Sequence, residues 1–126
     1  MTEPGFGGNL LERLRHRIEV DIETRRTAEA PPHRTTIWVV VDDRDRVLIR
    51  SYRGATARWY REATSGTQAA LVIGDEVVPV TVEHVRDAER IRACSVELER
   101  KYAGDPATPA MVADEVLDTT LELLPS

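Results

Sequence analysis

Ala69-Ala70-Leu71-Val72-Ile73-Gly74-Asp75-Glu76-Val77-Val78-Pro79-Val80-Thr81-Val82-Glu83-His84-Val85 is the stretch on which the fold turns. Two apolar, largely β-branched runs, Ala69 to Ile73 and Val77 to Val85, flank Gly74-Asp75, a two-residue turn of the kind hairpins favour. Strands joined this tightly run antiparallel, because a parallel pair needs a long crossover between them. Pro79 has no N–H for a ladder, so it places the second strand at a sheet edge or at a bulge.

Upstream, Ile37-Trp38-Val39-Val40-Val41 is apolar on both faces and reads as a central strand. Asp42-Asp43-Arg44-Asp45 makes a turn into the next strand, Arg46 to Tyr52, giving a second hairpin. Ile18 to Arg25 alternates apolar and charged residues, as a strand with one wet face does. Ala28 to Arg34, with Pro31-Pro32, reads as a loop, and Thr119 to Leu124 as a last strand. Helices fall between these strands. Asn9 with Glu12 resembles a capping box opening a short helix with Leu10, Leu11 and Leu14 on one side. Thr56 is placed to cap a short helix carrying Arg58, Trp59, Tyr60 and Arg61. Asp87 caps a helix running to Tyr102, with Ile91, Cys94, Leu98 and Tyr102 in one stripe and a stop at Gly104-Asp105-Pro106. Thr108-Pro109 opens another helix to about Leu117. About six strands and three or four short helices make an α+β, mainly β chain: a small antiparallel barrel with helices packed outside. Residues 1–17 form a tail and short helix, and residues 18–126 the barrel domain.

The 126 residues suffice for one domain that buries roughly two thirds of its unfolded surface. A net charge of -5 argues against a nucleic-acid partner, which needs a broad basic face. With one cysteine, Cys94, there is no internal disulfide. His16, His33 and His84 lack paired metal-ligand spacing, so no metal is expected. Neither a Gly-rich dinucleotide turn, a Walker loop nor a Gly-x-Ser-x-Gly elbow occurs. No run of about 18 apolar residues exists and Met1 to Gly5 has no signal-peptide character, so a soluble, cytoplasmic protein with no membrane partner is expected.

Against the acidic balance, residues 46–61 hold five arginines, Arg46, Arg50, Arg53, Arg58 and Arg61, and no carboxylate. The window reads as a strand, a breaker at Arg53-Gly54-Ala55 and a helix start, an arrangement that aims backbone N–H groups and arginine forks at an anion. Each charge-assisted hydrogen bond contributes about 1.5–3 kcal/mol. Micromolar affinity needs about 8 kcal/mol, so apolar ligand surface must be buried too; Trp38, Trp59 and Tyr60 offer it. Strand alternation puts Leu48, Arg50 and Tyr52 on one side and Val47, Ile49, Ser51 and Arg53 on the other. Arg53 and Arg58, near the helix start, are then better phosphate candidates than Arg46 or Arg61. Plainer roles stand beside these: a solvated strand face or ion pairs to Asp42, Asp43 and Asp45 for the arginines, core or dimer interface for Trp59 and Tyr60, and an ordinary loop position for His33.

Thr36 to Val41, Val47 to Gly54, Arg58-Trp59-Tyr60-Arg61, Arg100-Lys101-Tyr102 and Thr119-Thr120-Leu121 together resemble an uncharacterised bacterial family of small split-barrel proteins. That family is similar in turn to the deazaflavin-dependent nitroreductases and, more remotely, to pyridoxamine-phosphate-oxidase-like flavin reductases. The resemblance covers residues 18–124. It implies a split β-barrel homodimer binding FMN or a deazaflavin phosphate at the dimer interface, and an oxidoreductase acting on a small molecule. Carried over by position, Arg34, Thr35 and Thr36, Ser51 and Gly54, and Trp59 and Tyr60 would line the cofactor. Arg53-Gly54 stands where the wider group commonly has two glycines. On this reading Arg50, Arg53, Gly54 and Arg58 hold the phosphate, Trp38, Trp59 and Tyr60 wall the ring, and Tyr52 or His33 donates a proton. The alternative is a cofactor-free barrel that binds, or transforms without redox chemistry, a small anionic metabolite. A partner-binding dimer with no pocket is the third possibility.

Overall fold

The computed structural model describes residues 5–126. In chain order the elements are α1 (Gly8–His16), β1 (Val20–Thr24), β2 (His33–Ile37), β3 (Val40–Val41), β4 (Val47–Ile49), α2 (Arg58–Ala63), β5 (Ala69–Ile73), β6 (Glu76–His84), α3 (Ala88–Lys101), α4 (Thr108–Met111) and β7 (Leu121–Pro125). Short 3-10 turns at Gly54–Thr56 and Asp114–Thr119 precede α2 and β7. The strands form one antiparallel sheet in the order β2-β1-β5-β6-β7-β4-β3. The fold is α+β, a split antiparallel β-barrel.

The β5–β6 hairpin stands as its sequence requires. Gly74 takes φ 62 at the first corner of the turn, and Leu71 pairs with Val78. Pro79 does not mark an edge strand, because β6 lies between β5 and β7. Its ladder to β7 begins only at Val80, opposite Pro125, while the Pro79 carbonyl accepts from Ser126 N. The missing N–H therefore faces Ser126, beyond the last residue of β7, so it interrupts no ladder bond between β6 and β7.

Ile37 to Val41 is not a central strand. Trp38 and Val39 break it, so Ile37 ends β2 on one sheet edge and Val40 starts β3 on the other. Two residues cannot bridge opposite edges of a flat seven-stranded sheet with strands about 4.8 Å apart, so the sheet must curl back on itself. The apolar pattern has a reason all the same. Ile37, Val39 and Val41 enter the barrel core with Leu71, Leu121 and Leu123, whereas Val40 and the half-buried Trp38 join an outer cluster with Leu48, Cys94, Leu98 and Met111 under α3 and α4. Each fully buried Leu in these clusters contributes about 1.5–3 kcal/mol.

Other boundaries also differ from the sequence reading. His33 and Arg34 belong to β2 rather than to a loop, and the break at Trp38 and Val39 gives seven strands in place of about six. β4 stops at Ile49, since the Ser51 N–H goes to Thr119 Oγ1 (3.1 Å) and not to a backbone carbonyl. Gly7 is the N-cap of α1, with no side-chain hydrogen bond, so Asn9 and Glu12 form no capping box. Ala57, not Thr56, caps α2, and Thr56 Oγ1 donates to the Arg53 carbonyl. α4 ends at Met111 instead of near Leu117. Asp87 caps α3 as read, accepting from Arg90 N at 3.0 Å.

Candidate functional site

The five arginines of the basic window are dispersed by the fold. Arg46 donates to Asp42 (2.7 Å) and to both oxygens of Glu89 (2.8 and 2.7 Å), which occupies it fully in ion pairs. Arg50 follows Leu48 onto the outer face of the barrel and is 1% exposed. Arg53 lies exposed at the turn. Arg58 and Arg61 leave α2 towards a different cavity. Ser51 and Gly54 close the turn on each other: Gly54 N donates to the Ser51 carbonyl (3.1 Å), Ser51 Oγ donates to the Gly54 carbonyl (2.7 Å), and Gly54 has φ 74. They shape the backbone and do not form an anion cradle.

Two concavities flank the β2–α2 region. The first is a slot of about 230 Å³ walled by Trp38, Trp59, Tyr52, Ile37 and Met111, with Thr36, Glu19 and Arg50 contributing polar groups. Trp38 is held by stacking on Tyr102, with ring centroids 3.9 Å apart and planes within 3°. Tyr102 is fixed in turn, its hydroxyl donating to the Ile18 carbonyl (2.5 Å) and accepting from Val39 N (3.3 Å). Burial pushes the Tyr102 phenol up to about 12, so it stays protonated and keeps donating. Trp59 meets Tyr60 edge to face at 6.0 Å; Tyr60 itself lies in the barrel core, where burial raises its phenol pKa. Tyr52 remains 56% exposed at the slot.

The second concavity is a cleft of about 440 Å³ lined by Arg26, Arg58, Arg61, Glu62 and Ser65. Glu62 is the structural centre of this cleft. It accepts from Thr24 Oγ1 (2.9 Å) and Arg58 Nε (3.1 Å), with His33 Nδ1 3.9 Å away. Burial alone would raise its carboxyl, but the hydrogen bonds from Thr24 and Arg58, with the charges of Arg58 and His33, outweigh that and hold it below the ordinary carboxylate range. Arg58 also reaches His33 Nδ1 at 3.2 Å. Arg26 and Arg61 have no carboxylate within ion-pair distance among the described residues, so after Glu62 offsets one charge the cleft remains cationic.

Of the residues singled out from sequence, Thr36, Trp38, Arg50, Tyr52 and Trp59 meet at the slot, and Arg58 and His33 meet at the cleft. Arg34 lies outside both, on the outer face of β2 against Glu23 (3.1 Å), next to the Thr36–Asp21 hydrogen bond (2.8 Å). Sequence reading missed Glu62, Arg26, Glu19 and Met111. The Arg58–Glu62 pair had a legible signal in its i,i+4 spacing on a helix; Arg26 and Glu19 reach their cavities only through tertiary structure. Among the described residues no group of three His, Cys, Asp or Glu side chains is placed to hold a metal, and no helix is long and apolar enough to cross a membrane.

The fold recurs in solved structures of low sequence identity. The heme storage protein HutZ of Vibrio cholerae aligns with a TM-score of 0.68 at 15% identity, covering 94% of this chain and 88% of that one. A conserved hypothetical protein of Mycobacterium tuberculosis aligns at 0.67 and 16% identity, over 98% and 78% of the two chains. An FAD binding protein of Mycobacterium smegmatis aligns at 0.57 and 19% identity, over 98% and 92%. No functionally curated protein matches the sequence. Residues 10–123 match the family described as uncharacterized protein conserved in bacteria, DUF2255, and the chain belongs to that family.

Proposed function

We propose that this protein binds a flavin or deazaflavin phosphate and serves as a small-molecule oxidoreductase. The observation that carries the reading is the pairing of an aromatic slot with a cationic cleft on one β2–α2 frame. Arg58 and Trp59, adjacent on α2, serve one cavity each. His33, bonded to Arg58 of the cleft, and Thr36 at the slot lie three residues apart on β2. A ligand with a flat ring at one end and a phosphate at the other would place the ring in the slot and the phosphate in the cleft. Two similar folds belong to proteins whose names record FAD binding and heme storage, which supports a cofactor in this architecture.

The residues fit such a group. Trp38 and Trp59 offer apolar faces for a planar ring, while Arg58 with Arg26 and Arg61 supplies forked donors for a phosphate. Arg50 and Arg53, read earlier as phosphate ligands, do not line the cleft, and Gly54 is committed to its turn. Bound there, the group would supply hydride chemistry. The chain's own part is to orient the ring against Trp38, exclude water with Met111 and Trp59, and present the Tyr52 hydroxyl as a proton donor at the slot. His33 sits at the cleft beside Glu62 and Arg58, so its role is with the phosphate.

We also propose a homodimer. The outer face of β5 and β6 carries the exposed Val77 and Pro79 beside the buried Ala70 and Val72, and none of the helices packs substantially on these strands. A second copy would bury that face. Purification in the presence of FMN, followed by visible absorption and titration with FMN and with a deazaflavin phosphate, tests the cofactor reading. Saturable binding that weakens at least tenfold in Arg58→Ala supports it, whereas no binding of either compound removes it. The cofactor-free alternative rests on the slot's small volume, and it predicts binding of small anions with both flavins ignored.

A further inference from the structure

Arg50 has an unusual environment for a buried guanidinium. Nε donates to Thr120 Oγ1 (2.9 Å), Nη1 to Ser95 Oγ (2.8 Å) and the Met111 carbonyl (3.1 Å), and Nη2 to the Ile91 carbonyl (3.0 Å). Every acceptor is neutral. No carboxylate lies within ion-pair distance of Arg50 among the described residues, whereas Arg46 and Arg90, which are less buried, are richly paired: Arg46 with Asp42 and Glu89, Arg90 with Glu83, Asp87 and Glu122. Burying a cation without a counter-charge is costly, and hydrogen bonds to neutral groups recover only part of that cost.

Of the five N–H bonds a guanidinium carries, four are matched by these acceptors. Among the described residues the second N–H of Nη2 has no acceptor, and Arg50 forms part of the slot wall with Trp38, Trp59 and Tyr52. The slot thus joins a desolvated positive charge to aromatic walls. We propose that Arg50 makes the slot a receptor for a planar aromatic monoanion, a ring bearing a carboxylate or an ionised ring oxygen, with the ring between the aromatic walls and the charge on Nη2. The inference shares its slot with the cofactor reading but does not depend on the cofactor. In a low-dielectric wall the charge attracts an anion far more strongly than a surface arginine would, which favours an anion over its neutral isostere. Glu19 at the same slot opposes an anion and sets a limit on affinity.

Trp38 and Trp59 are the two tryptophans of the chain, and both line the slot, so intrinsic tryptophan fluorescence reports on it directly. Wild-type protein would be titrated with benzoate, with benzamide as the uncharged isostere, and with acetate as the anion without a ring. Benzoate should give a saturable change, benzamide should bind at least about tenfold more weakly, and acetate should give no change. Glu19→Gln should tighten benzoate and leave benzamide unaltered, while leaving the four Arg50 bonds intact. Arg50→Lys should keep the preference at lower affinity, and Arg50→Met should abolish it. Equal binding of benzoate and benzamide by the wild type, or no change with either through the millimolar range, overturns the proposal even where an Arg50 variant fails to fold. Benzoate selectivity without flavin binding would leave this inference standing and remove the cofactor reading; flavin binding without benzoate selectivity would do the reverse.

Discussion

Lys101 is the cation that ties the N-terminal helix to the barrel. Its Nζ donates to the Leu14 carbonyl (2.8 Å), in the last turn of α1, and to the Val39 carbonyl (2.7 Å), in the bend between β2 and β3. Burial pushes its pKa down to about 8, below its ordinary value near 10.5. A lysine depressed in the folded state destabilises that state while both forms are protonated. The penalty is relieved as pH rises through the folded pKa, because the unfolded chain then holds more protons than the folded one. The midpoint of urea unfolding, measured from pH 7 to 10 for wild type and Lys101→Met, should therefore rise with pH in the wild type relative to the variant; a constant difference would show that Lys101 does not titrate in that window. Cys94 gives the simpler expectation. Burial pushes its thiol up to about 11 despite the opposing charge of Arg50, so a thiol reagent should leave the native protein untouched and label it once unfolded in denaturant.

Among elements, the β5–β6 hairpin and α3 were legible because their signals are local. Gly74 has φ 62, a conformation that costs a residue with a Cβ about 1–2 kcal/mol. Gly74→Ala should lower stability by about that amount without shifting the fold, as chemical denaturation with an unchanged far-UV spectrum would show. Asp87 caps α3 and Gly104 stops the chain beyond it for equally local reasons. Ile37 to Val41 was misread because hydrophobicity on both faces reports only that both faces are covered. It does not say whether the cover is neighbouring strands on a central position or, as here, a barrel core inside and α3 outside. Pro79 was misread because an edge can be local to half a strand. The slot was partly legible: of Trp38, Trp59 and Tyr60, read as apolar surface for a ligand, the two tryptophans meet there, while Tyr60 lies in the barrel core. Arg50 was placed on the correct strand face yet not in its buried setting, because its acceptors Ser95, Met111 and Thr120 come from segments 45 or more residues away.

At the scale of the molecule, the two faces of the sheet are treated differently. α3 covers the outer side of β3 and β4, and Arg90 bridges Glu83, Glu122 and Asp87 where α3 meets β6 and β7. On the outer side of β6, Val77 and Pro79 are left exposed. Sedimentation at micromolar concentration should give a dimer, and Val77→Lys should give a monomer with wild-type secondary structure; a wild-type monomer would end the dimer proposal. Val77 is 47% exposed in the single chain, so the substitution leaves the barrel core alone.

Because β2 and β3 are one stretch of chain bent at Trp38 and Val39, the two ends of the sheet cannot fray independently. A fluctuation that peels β2 from β1 pulls on the segment that pairs with β4, and the Lys101 and Tyr102 bonds to Val39 must break with it. Amide hydrogens of Ile22 and Leu48, far apart in the sheet order, should then exchange with solvent in one shared opening event, with the same free energy and the same response to denaturant.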